Sequence, residues 1–147
     1  MKKLQTLTLG CSKNKVDTEH ILSQVAGHYD IVAEGEDTPV DVLLVNTCGF
    51  IGDAKEESVQ AVLEAVERKS RGEIGKIVVF GCLSQRYAHE LPELIPEVDA
   101  WYGAREFDPV ITELGVEPDR KKDCERYLTT PSHYAYLKIS EGCDRRC

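Results

Sequence analysis

Long apolar runs are missing from this sequence of 147 residues. No stretch approaches the roughly 18 to 20 consecutive apolar residues that a membrane helix needs, so we expect no membrane-spanning segment and no membrane partner. Two lysines follow Met1, but Gln5, Thr6 and Thr8 interrupt the segment behind them, so we read no secretory signal there. In the absence of both features, the cytoplasm is the expected compartment.

Positive charge is scarce as well. The sequence has 18 Lys and Arg residues against 26 Asp and Glu residues, a formal net charge of −8. Because proteins bind nucleic acid backbones mainly through Lys and Arg, we expect a basic protein partner rather than a nucleic acid. The segments after the first apolar runs also lack the Gly-x-Gly-x-x-Gly and Gly-x4-Gly-Lys-Ser/Thr patterns, which disfavours nucleotide binding.

Three short apolar segments each run into a cysteine. Residues 42–45 form a continuous run rich in β-branched side chains, which is typical of a strand covered on both faces. Residues 4–9 and 76–80 are similar, and each leads directly into a Gly-Cys pair. The three cysteines are Cys11, Cys48 and Cys82.

Amphipathic segments alternate with these strands. Apolar spacing predicts helices over residues 16–27, 84–91 and 106–114, and another helix that begins at Asp53. Further strands are predicted over residues 29–33 and 98–102. Residues 11–15 are polar and are predicted to form a turn. Pro92 and Pro96 should stop or kink the chain behind the third helix. The alternation predicts an α/β fold, an open, mainly parallel sheet with helices on both faces, of Rossmann or flavodoxin type.

The alternating pattern ends near residue 115. Residues 115–131 are rich in charged and turn-forming residues, and residues 134–139 look like the first strand of another unit. We therefore expect one domain over residues 1–125. Residues 126–147 would then be a linker and the truncated start of a second domain.

The cysteines that follow the three strands are candidate metal ligands. If the strands are parallel and adjacent, their sulfurs meet at one edge of the sheet, where open α/β sheets place functional groups. Separations of 37 and 34 residues are unlike the short knuckles of structural zinc sites. Three thiolates without a fourth suit an iron–sulfur cluster with one open iron.

The alternatives to a metal site are buried core cysteines or a catalytic thiol, although no histidine shows a pairing with a cysteine in the sequence. Near these cysteines, Lys13, Asn14 and Asn46 either serve the site or solvate and cap the turns.

Two further cysteines close the sequence. Cys143 and Cys147 have Cys-x3-Cys spacing behind a predicted strand and a glycine, which fits either a second cluster loop or chance. Cys124 lies in the charged segment, and we interpret it as structural or incidental.

Four motifs together resemble the methylthiotransferases of the radical S-adenosylmethionine superfamily. They begin at Leu9, Val45, Gly81 and His133 and read L-G-C-S-K-N-K-V-D-T-E, V-N-T-C-G-F-I-G-D-A-K-E-E-S, G-C-L-S-Q-R-Y and H-Y-A-Y-L-K-I-S-E-G-C-D-R-R-C. The residues in these motifs are similar to those of the branch that modifies a small-subunit ribosomal protein. The branch that modifies transfer RNA typically carries Gly-Cys-Gln-Met-Asn in place of Gly-Cys-Ser-Lys-Asn and lacks the Gly-Phe-Ile that follows Cys48.

The resemblance implies the metal ligands. The first predicted domain would be the amino-terminal methylthiotransferase domain, in which Cys11, Cys48 and Cys82 hold an auxiliary [4Fe–4S] cluster. Cys143 and Cys147 match the first two cysteines of the Cys-x3-Cys-x2-Cys motif that binds a second, radical-generating [4Fe–4S] cluster. The third would fall three residues beyond Cys147. We therefore expect an amino-terminal piece, inactive alone, that lacks the radical barrel and an RNA-binding-like carboxyl-terminal domain.

The resemblance also implies the reaction. One S-adenosylmethionine donates a methyl group to sulfur associated with the auxiliary cluster. A second is cleaved to a 5′-deoxyadenosyl radical, which abstracts hydrogen from the target carbon, and a methylthio group is transferred there. In the ribosomal branch the target is the β-carbon of an aspartate in small-subunit ribosomal protein twelve. Two alternatives stay open: a methylthiotransferase acting on transfer-RNA adenosine, and a flavodoxin-like binding module with structural cysteines.

Overall fold

A computed structural model describes residues 1–10, 12–49, 52–122 and 126–129, together with residues 135 and 137. Four of the six cysteines lie outside this part of the chain, and so does most of the strand predicted over residues 134–139. These cysteines are Cys11, Cys124, Cys143 and Cys147.

The described residues form one open sheet of five parallel strands, in the order β2-β1-β3-β4-β5. The strands are β1 (Lys2–Thr8), β2 (Tyr29–Val32), β3 (Val40–Thr47), β4 (Ile74–Gly81) and β5 (Ala100–Trp101). The helices are α1 (Ser12–Val25), α2 (Gly52–Ser70), α3 (Cys82–Arg86), α4 (Leu91–Leu94) and α5 (Phe107–Glu113), and a 3-10 turn spans Arg120–Lys122. The predicted α/β class is confirmed.

Two apolar layers cover the two faces of the sheet. Successive side chains of a strand point to opposite faces, so Val42 and Leu44 of β3 belong to one layer and Leu43 and Val45 to the other. The first layer contains Ile21, Leu22 and Val25 of α1 with Val110 and Ile111 of α5. The second contains Val62 and Ala65 of α2. Helices therefore lie on both faces, as the continuous apolar run of β3 predicts.

Helix α1 begins earlier than the sequence pattern predicts. The polar turn expected over residues 11–15 is wrong from Ser12 onward, because Ser12 begins the helix. Asn14, in the first turn, is buried, and its amide donates a hydrogen bond of 2.7 Å to the carbonyl of Leu9. Asn14 contacts the ends of two strands, so the polarity of this segment did not require a turn.

The helix predicted over residues 84–91 is also wrong in its bounds. Helix α3 begins at Cys82 and ends at Arg86, and the short helix α4 follows a turn. Pro92 lies in the first turn of α4. That position needs no intrahelical N–H donor, so Pro92 begins a helix instead of ending one.

No helix among the described residues is both long enough and apolar enough to cross a membrane.

Asp99 joins the β4–β5 edge to the end of α2. Its carboxylate accepts a hydrogen bond of 2.8 Å from the Ile77 N–H and forms an ion pair of 2.7 Å with Lys69. Partial burial acts to raise the pKa of Asp99, but the hydrogen bonds from Lys69 and Ile77 outweigh it, so the pKa lies below its ordinary value of 3.8. A carboxyl group with a lowered folded-state pKa stabilises the fold above its ordinary pKa, and this stabilisation is lost as the pH falls through the folded-state value.

We expect Asp99→Asn to lower the free energy of unfolding at pH 7 by about 1 kcal/mol, allowing for solvent screening of a partly exposed pair. The loss of stability between neutral pH and pH 3 should be smaller in the variant than in the parent, because the shifted carboxyl group is gone. Urea unfolding over this pH range measures both effects. The control is Asp37→Asn, which changes an exposed carboxyl group in the β2–β3 loop. A variant with the full acid sensitivity of the parent would contradict this role of Asp99.

Candidate functional site

Cys48 and Cys82 lie side by side at the carboxyl edge of the sheet. Strand β3 ends at Thr47 and β4 at Gly81, and these two residues are register partners. Cys48 directly follows Thr47, and Cys82 directly follows Gly81. Because neighbouring strands lie about 4.8 Å apart, the two cysteines begin from adjacent positions. Cys48 is partly buried and Cys82 is exposed. This arrangement argues against the interpretation of both as core cysteines.

The third predicted cysteine follows β1, the strand on the other side of β3. The strand order reverses between β1 and β3, and such switch points are where open α/β sheets bind ligands. Leu9 continues the β1 ladder, because its N–H donates to the Asn46 carbonyl at 2.9 Å. Gly10 then lies against Cys48: a Cβ atom on Gly10 would be 2.9 Å from the Cys48 Sγ. The backbone that leads into Cys11 thus touches Cys48, although Cys11 itself is outside the described residues.

Two buried asparagines tie α1 to the strand ends. The Asn14 amide group donates to the carbonyls of Leu9 (2.7 Å) and Thr47 (3.3 Å). The Asn46 amide group donates to the Asn14 carbonyl (2.8 Å) and to the Thr18 hydroxyl (3.2 Å). Buried amides of this kind fix the relative positions of the segments that they join. Asn46 therefore acts as a structural cross-link, and Asn14 does not merely solvate a turn, whereas Lys13 is exposed.

Ser58 of α2 holds the main chain of Cys48. Its hydroxyl accepts a hydrogen bond of 2.9 Å from the Cys48 N–H and donates one of 2.8 Å to the Cys48 carbonyl. The residue before Cys48 is tied to the neighbouring strand β4, because the Thr47 hydroxyl donates to the Phe80 carbonyl at 3.0 Å. Sequence reasoning missed Ser58, because a single serine in an amphipathic helix carries no specific signal.

A basic side chain borders the Cys48 loop, and a second contacts Tyr87, the residue after α3, although the chain as a whole is acidic. Arg86 of α3 donates a hydrogen bond of 3.3 Å to the carbonyl of Gly49, the residue after Cys48. Lys55 of α2 donates one of 2.8 Å to the Tyr87 hydroxyl. The hydrogen bond from Lys55 lowers the pKa of Tyr87, and the charge of Arg86 acts in the same direction. The guanidinium of Arg86 is thus a positive group beside the residue that follows Cys48.

No three His, Cys, Asp or Glu side chains within the described part of the chain come together as a metal-binding group. The structure thus brings together two of the three predicted ligands, Cys48 and Cys82, and the immediate neighbour of the third. Three histidines lie within the described residues and belong to no such group, namely His20, His28 and His89. His20, for example, packs its ring edge-on against Phe107, with 5.6 Å between the ring centroids.

Gly81 has a backbone conformation and a contact that exclude a side chain. Its φ is +117°, and a Cβ atom there would lie 2.5 Å from the Thr47 carbonyl oxygen. This close approach is part of what sets Cys82 beside Cys48.

We expect Gly81→Ala to lower the free energy of unfolding by more than about 2 kcal/mol, because backbone strain and overlap with Thr47 add together. Gly35→Ala is the matched control, since Gly35 also has a positive φ, +88°, but faces open space. It should cost roughly 1 kcal/mol, the backbone term alone. Urea unfolding of the three proteins makes the comparison, and equal losses in both variants would show that the contact with Thr47 does not matter.

Comparison with known proteins places the chain in a family. Residues 3–103 match the family described as uncharacterized protein family UPF0004. Curated relatives named ribosomal protein uS12 methylthiotransferase RimO include that of Bacteroides thetaiotaomicron, 49% identical over 148 residues, which are 99% of this chain and 34% of that protein. Those of Porphyromonas gingivalis (49% identical over 146 residues) and Cytophaga hutchinsonii (44% over 146 residues) match 99% of this chain and 34% and 33% of their own lengths.

The chain therefore spans about a third of the length of the curated relatives it matches. The family match runs from β1 to β5 and includes all three cysteines predicted at strand ends. The chain belongs to the UPF0004 family, and its resemblance to the methylthiotransferases is confirmed over nearly its whole length.

Proposed function

We propose that this chain is the cluster-binding, sulfur-donating domain of a radical S-adenosylmethionine methylthiotransferase that modifies ribosomal protein uS12. One observation carries the proposal. Cys48 and Cys82 follow register partners at the edge of the sheet, and Gly10 brings the chain segment of Cys11 against Cys48. The names of the relatives supply the reaction and the substrate.

The ligands of the auxiliary [4Fe–4S] cluster would be Cys11, Cys48 and Cys82. Thiolates are the usual protein ligands of such clusters, and three of them leave one iron open to another ligand. Cys143 and Cys147 would hold the second, radical-generating [4Fe–4S] cluster together with a third cysteine. The exposure of Cys82 and the partial exposure of Cys48 fit a site that has to exchange sulfur with a substrate.

When held by these cysteines, the auxiliary cluster would supply sulfur, and bound S-adenosylmethionine would supply the methyl group and the radical for the aspartate β-carbon. The residues of this chain hold the thiolates in place. Ser58 clamps the main chain of Cys48 from the side of α2, and Asn14 ties the ends of β1 and β3 together. Arg86 would favour the negative charge of a thiolate-bound cluster, because its guanidinium contacts the residue after Cys48.

The partner would be a small-subunit ribosomal protein, met in the cytoplasm. The net charge of −8 suits a basic protein, since complementary charge speeds encounter and sets orientation. The same charge disfavours transfer RNA as a partner of this domain. A flavodoxin-like binding module is disfavoured because the strand ends carry cysteines and no phosphate-binding glycine motif.

We expect anaerobic reconstitution of the chain with iron and sulfide to give about four irons and four sulfides at the auxiliary site. Cys11→Ala, Cys48→Ala and Cys82→Ala should each lose most of this iron. Cys124→Ala should keep it, because we assign Cys124 no ligand role. Chemical iron and sulfide analysis gives the stoichiometry, and circular dichroism shows that each variant is folded.

The remaining cysteines need a control of their own. A double variant, Cys143→Ala with Cys147→Ala, removes iron held by the second motif and should leave the auxiliary stoichiometry unchanged. Folded Cys48→Ala or Cys82→Ala proteins with the iron content of the parent would refute the ligand assignment. A parent chain that takes up no cluster would refute the proposal for this domain.

A further inference from the structure

Residues 126–129, predicted as the beginning of a linker, lie on α1 and are held there by Glu19. The Glu19 side chain is fully buried. Its Oε1 accepts hydrogen bonds from the Thr129 N–H (3.0 Å) and the Thr129 hydroxyl (2.9 Å). The Glu19 main-chain carbonyl accepts a third, of 3.0 Å, from the Tyr127 N–H. One residue of α1 thus engages two residues of this segment, Tyr127 through its own main chain and Thr129 through its own side chain.

The second oxygen of Glu19 faces a charge. Arg126 Nη1 lies 3.7 Å from Glu19 Oε2, and both atoms are buried without a hydrogen-bond partner among the described residues. A buried carboxylate is stable only when a positive charge or hydrogen bonds compensate for its lost hydration. Glu19 has its hydrogen bonds from Thr129 and its charge from Arg126, and both come from the same segment. The groups that compensate for the burial of the Glu19 side chain are therefore supplied by the docking of residues 126–129.

A second pair of hydrogen bonds gives the direction of this part of the chain. Gln24, also on α1, accepts a hydrogen bond of 2.9 Å from the Asp119 N–H and donates one of 3.1 Å to the Asp119 carbonyl. The chain meets α1 at Gln24 first and at Glu19 later, about 7.5 Å nearer the start of the helix. It therefore runs back along α1 toward Ser12. Because α1 starts after β1, that end of the helix lies at the carboxyl edge of the sheet, where Cys48 and Cys82 are.

We infer that Glu19 is a positioning residue whose buried carboxylate docks residues 126–129 on α1, so that the chain at Thr129 has come back along α1 toward the edge with Cys48 and Cys82. Cys143 and Cys147 follow later in the sequence. The meaning of these two cysteine sets rests on the proposed function, whereas the docking does not. If sulfur from one site must reach a carbon activated at the other, the connection between the sites has to leave the first domain in a fixed direction. A linker that made no contacts from residue 115 onward would not fix that direction.

The rate of trypsin cleavage after Arg126 measures the docking directly, because Arg126 lies within the docked segment. Glu19→Ala should raise the rate of cleavage after Arg126 by about tenfold or more, since a locally opened segment is cut in proportion to its open population. Gln24→Ala is the matched control. It should raise cleavage after Lys121 and Lys122 and leave cleavage after Arg126 much closer to the parent rate.

Two further variants keep the test decisive if Glu19→Ala fails to fold. Glu19→Gln retains an oxygen for Thr129 and loses the charge that faces Arg126, and Thr129→Val removes one hydrogen bond and retains the charge. Each should raise cleavage after Arg126 by less than Glu19→Ala, roughly threefold. Hydrogen exchange should show the same pattern, with faster exchange of the Tyr127 and Thr129 amides and unchanged exchange in β3 and β4. Folded variants cut after Arg126 at the parent rate, or exchanging faster throughout the sheet, would overturn the inference.

Iron loading separates this inference from the proposed function. Reconstituted Glu19→Gln should bind as much iron at the auxiliary site as the parent, because the side-chain hydrogen bonds and the ion pair of Glu19 within the described part of the chain are all with residues 126–129. Loss of that iron would overturn the positioning role and would assign Glu19 to the cluster site. Cleavage is measured on the metal-free chain, so a parent that binds no cluster would contradict the proposed function and leave the docking result unaffected.

Discussion

The hydrogen-bonded register between β3 and β4 is the constraint on which the rest of the site depends. Thr47 pairs with Gly81, so the next residues, Cys48 and Cys82, leave the sheet at the same level. Because side chains alternate between faces, a slip of one residue would turn every buried side chain of one strand to the wrong face and would separate the two sulfurs. The apolar layers on both faces therefore hold the positions of the cysteines, although none of their side chains belongs to the site. The packing of Val42 to Val45 and the chemistry of the site are consequences of one alignment.

Register alone does not fix the segments beyond the last ladder hydrogen bonds. Parallel strands that end at an edge leave main-chain groups without partners, and buried groups of this kind must be satisfied by side chains or water. Here Asn14, Asn46 and Ser58 satisfy them, through the carbonyls of Leu9, Thr47 and Cys48 among others. Each of these side chains comes from a helix or strand next to the group it serves. Within the described residues these hydrogen bonds fix the strand ends, and fixed strand ends would reduce the entropic cost of assembling the proposed metal site from three distant parts of the sequence.

The sequence predicts the sheet and two of its edge cysteines well because these depend on local patterns. A continuous apolar run such as residues 42–45 is visible without knowledge of its neighbours, and the residue that follows it must lie at the end of the strand. The polar contacts are different. Asn14, Ser58 and Glu19 are ordinary helix residues in the sequence, and their burial arises from partners 33, 10 and 110 residues away. The same reason explains the wrong start of α1, where the segment that contains Asn14 was interpreted as a polar turn.

Helix α1 is the element in which these contacts meet. Its buried residues include Asn14, Thr18, Glu19 and Gln24, an unusual set of polar side chains for a helix that packs on a sheet. An interface made of Ile21, Leu22 and Val25 alone would tolerate small shifts of the helix, because apolar contacts have little directionality. Hydrogen bonds lose strength within a few tenths of an ångström and beyond modest angles. Asn14 at one end of α1 therefore fixes its start relative to β1 and β3, and Glu19 fixes the returning chain relative to the same helix. It follows that a shift of α1 that disturbs the strand ends also disturbs the docked segment, so the geometry of the cysteine edge and the direction in which the chain leaves the domain are coupled through one helix.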